Sequence, residues 1–120
     1  MDQIVAPSSP ERAEEVSLPT LEVDGELDLA VAPWLHDQLD ALFVGGAASI
    51  VVDQSEATFL DSTALGVLVG AMNRCHERGG RAHLVVTEPQ ILRVLTITGL
   101  TDAFSLHAGR AELPGEGAGK

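Results

Sequence analysis

Apolar positions along the chain alternate between short continuous runs and longer stretches with helical spacing. Residues 21–25 alternate apolar and polar side chains, which predicts a strand with one buried face. Residues 49–52 form a short apolar run, typical of a central strand that is covered on both faces. Residues 82–86 and 103–106 predict two further strands.

Three stretches between these strands place apolar side chains at helical spacing. The first ends at the Gly45-Gly46 pair, the second runs from about 63 to 78, and the third follows residue 87. Thr87 and Gln90 fit a capping box, with Thr87 as the N-cap of the third helix. Such alternation predicts an α/β fold, with helices packed on a small, mainly parallel or mixed sheet.

A length of 120 residues predicts one domain. We expect residues 1–17 to form a flexible arm, in which the regions of Ile4 and Val16 are candidates for a divergent edge strand. The folded domain is expected at 18–107, followed by a low-complexity, disordered tail at 108–120. The start of the chain lacks the pattern of a signal peptide, and no apolar run approaches the ~18 residues of a membrane span, so we expect a cytoplasmic protein.

The formal net charge of −11 narrows the choice of partner. Nucleic acid binding needs clustered Lys and Arg against phosphate, so this balance argues against it. It also disfavours an anionic membrane surface, whereas a basic protein surface is a natural complement.

Residues for catalysis or for a cofactor are not evident. No histidine pairs with another His, Cys or Asp at a metal-ligand spacing, so no metal is expected. The glycines do not match phosphate-binding loops, and Ser62 lacks both a nucleophile elbow and a base. Cys75 lies mid-helix and is expected to be a buried core thiol. We therefore expect neither a cofactor nor an enzyme. The four histidines fall one per element, at His36, His76, His83 and His107.

Asp61, Ser62 and Thr63 precede the central helix in a pattern typical of a helix start. The Ser62 hydroxyl has two roles to consider: an N-cap, or an exposed phosphoacceptor, with Thr63 as the alternative acceptor. A phosphoryl group would add about −1.5 to −2 charges, which the helix dipole partly offsets. A docked partner would then be repelled while the fold survives.

Two interior glycines follow on the same side of this helix. At about 100° per residue, Ser62, Gly66 and Asn73 lie within roughly 40° of each other, at the edge of the apolar face, and Gly70 extends that side. The glycines either let a neighbouring element pack closely or leave a flat strip for another protein. The pattern alone favours neither.

The run V-V-D-Q-S-E-A-T-F-L-D-S-T-A-L-G-V-L-V-G at 51–70 resembles the signature of STAS domains, specifically bacterial anti-sigma factor antagonists. G-E-L-D-L-A-V-A-P-W-L at 25–35 is similar to the family's second strand and first helix. G-G-R-A-H-L-V-V at 79–86 and V-L-T-I-T-G-L-T-D-A-F at 94–104 resemble its later portion. The resemblance spans roughly 21–106 and implies a single STAS-type domain.

The resemblance also implies a regulator. Unphosphorylated antagonists of this family bind an anti-sigma factor that is also a serine kinase, with a histidine-kinase-like ATPase fold, and thereby free the sigma factor. The kinase phosphorylates the serine of the D-S pair, and a serine phosphatase restores it. That serine matches Ser62 here, and Glu26, Asp28 and Asp61 match acidic residues near the partner-binding surface. The predicted partner-binding residues are Glu26, Asp28, Asp61, Ser62, Thr63, Gly66, Gly70 and Asn73.

The alternative is a STAS scaffold subunit of a stress-signalling or lipid-transport complex, in which Ser62 caps the helix and no phospho-switch operates.

The chain also departs from the family pattern at three positions. Ala64 stands where glycine is usual, Gln54 replaces a common aliphatic residue, and Glu56 replaces a small one.

Overall fold

A computed structural model describes residues 18–113, in which strands and helices alternate along the chain. The four strands form one parallel sheet in the order β1-β2-β3-β4. The predicted α/β architecture and order of elements are therefore confirmed. The elements are β1 (Thr20–Leu27), α1 (Ala32–Val44), β2 (Ile50–Leu60), α2 (Ser62–Glu77), β3 (Ala82–Val85), α3 (Pro89–Ile97), β4 (Ser105–His107) and a short 3-10 helix (Arg110–Glu112).

The three helices bury their apolar sides against one face of the sheet, where most of the core lies. Because alternate strand residues point to opposite faces, Val51 and Val85 lie on the other face and pack with Leu113. The central strand β2 is thus covered on both sides, as its continuous apolar run predicted. No helix in the described range 18–113 is long and apolar enough to span a membrane.

Strand β2 is much longer than its apolar run. The apolar run predicted a strand that ends at residue 52, which is wrong, because β2 continues to Leu60. β1 pairs with it along this whole length, from Thr20 opposite Val51 to Leu27 opposite Leu60. Two register shifts interrupt the pairing, one of them beside Gly25, whose φ of 69° is readily adopted by glycine. Backbone pairing with β1 therefore keeps polar residues in the strand.

Helix α3 begins differently from the predicted capping box. Its N-cap is Glu88, whose side chain accepts a hydrogen bond from the Gln90 backbone N–H, so Thr87 is not the cap. The Thr87 hydroxyl instead donates to the Ser55 carbonyl. The Gln90 side chain reaches β2, where it accepts from Leu60 N at 3.0 Å and donates to Leu60 O at 3.2 Å. Gln90 therefore ties α3 to the end of β2.

The chain after β4 is ordered further than predicted. Residues 108–113 were expected in a disordered tail, but they contain the 3-10 helix and end at the buried Leu113. The Arg110 guanidinium pairs with Asp53, at 2.6 Å, and with Glu22. Burial acts to raise the pKa of Asp53, but hydrogen bonds from Ser55 and Arg110 outweigh it and hold that pKa below its ordinary value. Residues 1–17, with the suggested strand near Ile4 or Val16, and residues 114–120 lie outside the described range.

Candidate functional site

Asp61 caps helix α2 and ties it to the loop after β1. Its Oδ1 accepts a hydrogen bond from Ala64 N at 2.9 Å, and its Oδ2 accepts from Leu29 N at 2.9 Å. Its own N–H donates to the Leu27 carbonyl at 3.0 Å. The N-cap role that the sequence left open for Ser62 therefore belongs to Asp61.

Ser62 is the first residue of α2 and is exposed, as is Thr63 after it. The side chain of Ser62 makes no hydrogen bond to any residue in the range 18–113. First-turn N–H groups of a helix have no intrahelical partner, and the dipole there favours negative charge. The Ser62 hydroxyl is thus accessible to a partner, and no hydrogen bond within residues 18–113 depends on it.

Glu26 and Asp28 lie at the same edge of the sheet. Glu26 is exposed near the end of β1, opposite the partly exposed Phe59 of β2. Asp28 is half-buried, and its Oδ1 accepts from Ala30 N at 3.1 Å, which shapes the loop into α1. Because β1 and β2 are parallel, their carboxyl ends meet here, and the structure brings both acidic residues to the edge that holds Asp61 and Ser62.

Gly66, Gly70 and Asn73 of α2 are exposed. A Cβ added at either glycine would have no heavy atom within 4 Å, so no neighbouring element packs against them. Of the two interpretations left open by the sequence, close packing of another element is therefore wrong for the described part of the chain. The buried residues of α2 are Ala64, Leu65, Leu68, Ala71, Met72 and Cys75.

The two glycines also border a groove between α1 and α2 that sequence reasoning did not find. The groove is open to solvent and has a volume of about 330 Å³. The nearly inaccessible Leu39 and Phe43 of α1 line its base, and Thr63 of α2 lies at one end. Helical spacing predicted each apolar face separately but carries no information on how two helices pack. The groove is lined by His36, Leu39, Phe43, Thr63, Gly66, Val67, Gly70, Ala71 and Arg74.

Arg74 at the groove is engaged by α1. Its guanidinium donates to Asp40 Oδ1 at 2.8 Å and lies 4.3 Å from the centre of the Phe43 ring. The hydrogen bond from Arg74 lowers the pKa of the Asp40 carboxyl. Arg74 therefore braces the two helices that form the groove.

The surface around Ser62 carries negative charge without paired cations. No arginine in the range 18–113 forms an ion pair with Glu26, Asp28 or Asp61. A phosphoryl group on Ser62 would therefore join neighbouring carboxylates and the first turn of α2, rather than a preformed arginine cluster.

The histidines are not all separate, contrary to the sequence expectation. His83 Nδ1 and His107 Nε2 lie 3.0 Å apart, on the neighbouring strands β3 and β4. Burial, followed by the charges of His107 and Arg81, lowers the pKa of His83. The spacing of 24 residues gave no sign of this contact, which follows from the parallel pairing of the two strands. Among residues 18–113 there is no group of three or more metal-ligating side chains.

Comparison with known proteins gives consistent matches. A family model described as the STAS domain matches residues 9–113. An anti-sigma-B factor antagonist of Listeria monocytogenes is 31% identical over 96 residues, which cover 80% of this chain and 84% of that relative. The crystal structure of an anti-sigma factor antagonist from Mycobacterium paratuberculosis matches with a TM-score of 0.71 and 27% identity, covering 78% of this chain and 79% of that one.

A third match has been solved in two states. The anti-sigma factor antagonist SpoIIAA in its unphosphorylated form is 22% identical with a TM-score of 0.63, covering 81% of this chain and 86% of that chain. Its phosphorylated form, from Bacillus, is 22% identical with a TM-score of 0.59, covering 73% and 80%. At this identity the likeness shows the fold alone.

Proposed function

We propose that this chain, which belongs to the anti-sigma factor antagonist family of STAS domains, is switched by phosphorylation of Ser62. Members of this family interact with anti-sigma factors in partner switching and are regulators rather than enzymes. In the proposed cycle, the unmodified chain binds an anti-sigma factor that is also a serine kinase, and so releases the sigma factor. The kinase inactivates it with ATP, and a serine phosphatase restores it. A kinase that uses ATP and holds a sigma factor also places the protein in the cytoplasm.

The observation that carries this proposal is the unengaged hydroxyl of Ser62. It is exposed at the first position of α2, and Asp61 supplies the cap. A phosphoryl group can therefore be attached without breaking a hydrogen bond that holds the fold. The scaffold alternative gave Ser62 the capping role, which Asp61 fills, so the phospho-switch is the hypothesis that gives this serine a function.

Electrostatics supply the direction of the switch. A kinase that delivers a phosphoryl group to Ser62 must hold the phosphates of its nucleotide against the first turn of α2. After transfer, about −1.5 to −2 charges stand on Ser62, facing the remaining nucleotide phosphates and close to Asp61 and Asp28. The helix N-terminus offsets only about 0.3–1 kcal/mol of this repulsion. The complex is therefore weakened while the fold is kept.

Phosphoryl transfer tests the proposal directly. Purified histidine-kinase-like anti-sigma factors from the same genome are each incubated with the chain and ATP, and the product is weighed intact. One phosphoryl group is expected on the wild type and on Thr63→Ala, and none on Ser62→Ala. An unchanged yield in Ser62→Ala would contradict the site, and no transfer by any of these kinases would contradict the function.

Binding supplies the second readout. By calorimetry with ADP present, Ser62→Asp should weaken kinase binding at least about tenfold, the equivalent of roughly 1.4 kcal/mol. Ser62→Ala should bind like the wild type, since it adds no charge to the surface. Equal affinities for the Asp and Ala variants would rule out the electrostatic mechanism.

A further inference from the structure

We propose that the groove between α1 and α2 receives a large apolar side chain (Leu, Met or Phe) from the kinase that acts on Ser62. This inference rests on the proposed function and extends it, because it assigns a second anchoring point for the same partner. The groove begins at Thr63, directly after the phosphoacceptor.

The surface of the groove suits an apolar group. Leu39 and Phe43 of α1 line its base and are nearly inaccessible, and the half-buried Val67 of α2 contributes apolar surface that a partner can reach. Its volume of about 330 Å³ lies at the lower end of the range of ligand pockets, which are lined mostly by apolar side chains. Interfaces commonly concentrate binding energy where one large side chain fills such a pocket inside a polar rim.

Gly66 and Gly70 keep the groove open. A Cβ at either position would meet nothing within 4 Å, so the backbone of α2 is directly accessible there. Each glycine costs about 1 kcal/mol of helix propensity relative to alanine. Neither glycine has a positive φ, so the fold does not require either of them. An approaching partner gains the space that two side chains would otherwise fill.

Geometry identifies the occupant as the kinase. To reach the Ser62 hydroxyl, the kinase must cover the first turn of α2, and Thr63 in that turn also lines the groove. At 1.5 Å per residue, Gly70 lies only about 12 Å along the helix from Ser62, which is well within one standard interface. A second copy of this chain is a poorer occupant, because each copy has a net charge of −11.

Filling the groove tests the inference. A Cβ at Gly70 meets no atom within 4 Å, so we expect Gly70→Leu to place its side chain in the groove. The matched control Gln38→Leu adds the same side chain to an exposed position of α1 outside the groove. We expect Gly70→Leu to keep or raise Tm and to weaken binding of the ADP-bound kinase at least tenfold. Gln38→Leu should change the affinity for the ADP-bound kinase less than threefold. Wild-type affinity for Gly70→Leu would overturn the inference.

A probe titration separates this inference from the proposed function. Isopropanol is titrated into ¹⁵N-labelled wild-type protein, and amide shifts are followed by NMR. The Gly66 and Gly70 amides should shift with saturation in the wild type, and the saturable shift should be lost in Gly70→Leu. A groove that shows no preferential shift would overturn the inference even where Ser62 is phosphorylated. Absence of phosphoryl transfer with a saturable groove would refute the proposed function and, with it, the kinase as the occupant, but it would leave the groove as a site for an apolar side chain.

Discussion

Gln54 is a residue of β2 whose polar side chain is completely buried in the protein interior. It is 0% exposed, and neither its amide nitrogen nor its amide oxygen has a hydrogen-bond partner among residues 18–113. Gln54→Met keeps the length and shape of the side chain and removes both polar atoms, so it tests whether this amide destabilises the native state.

The expected gain follows from the desolvation of the amide. A buried polar group without a partner costs about 1–3 kcal/mol, and an apolar replacement of similar shape removes this cost. We therefore expect the free energy of unfolding to rise by about 1–3 kcal/mol in Gln54→Met. For a domain of this size each kcal/mol corresponds to a rise in Tm of roughly 4–8 °C.

Gln90→Met provides the matched control, since the chemical change is the same but the environment differs. The Gln90 amide makes two hydrogen bonds to the Leu60 backbone, so its loss should lower stability by about 1–2 kcal/mol. Urea unfolding followed by far-UV circular dichroism measures both variants, with the slope m expected to stay constant. An unchanged or lower stability in Gln54→Met would refute the reasoning, because it would mean that the native protein satisfies this amide.

Three further predictions concern the site, the histidine pair and the thiol. Asp61→Ala removes the cap and should lower the free energy of unfolding by about 1–2 kcal/mol. Ser62→Ala should change it by no more than about 0.5 kcal/mol in the same urea assay. Equal losses in the two variants would show that Asp61 is not the cap. The lowered pKa of His83 means that the unfolded chain binds the proton more readily, so stability should fall as pH drops below about 6.5, and His83→Gln should flatten that part of the profile. A profile unchanged by the substitution would contradict this. Burial raises the pKa of the Cys75 thiol, so a thiol reagent should react only upon unfolding, and rapid labelling in native buffer would show otherwise.

Local patterns predicted the elements well because their causes are local. Helical spacing predicted an apolar side for α1, and Leu35, Leu39 and Phe43 on that side are nearly inaccessible. The polar run before α2 predicted a helix start, and Ser62 lies there and is exposed. What local patterns missed was the hydrogen-bond partner: Asp61 and Ser62 are both good caps, and only the backbone geometry selects Asp61.

The sequence by itself determined the alternation of strands and helices, the place of Ser62 at a helix start and the likeness to STAS domains. Only the tertiary structure decided which distant residues meet. β2 extends to Leu60 because β1 pairs with it. Arg110 forms an ion pair with Asp53, which lies 57 positions earlier in the chain. The groove exists because α1 lies beside α2. Propensity and periodicity act within a few residues, whereas these contacts depend on how the elements pack. The predicted phosphoacceptor thus came from the sequence, while the surface on which a partner would meet it came from the fold.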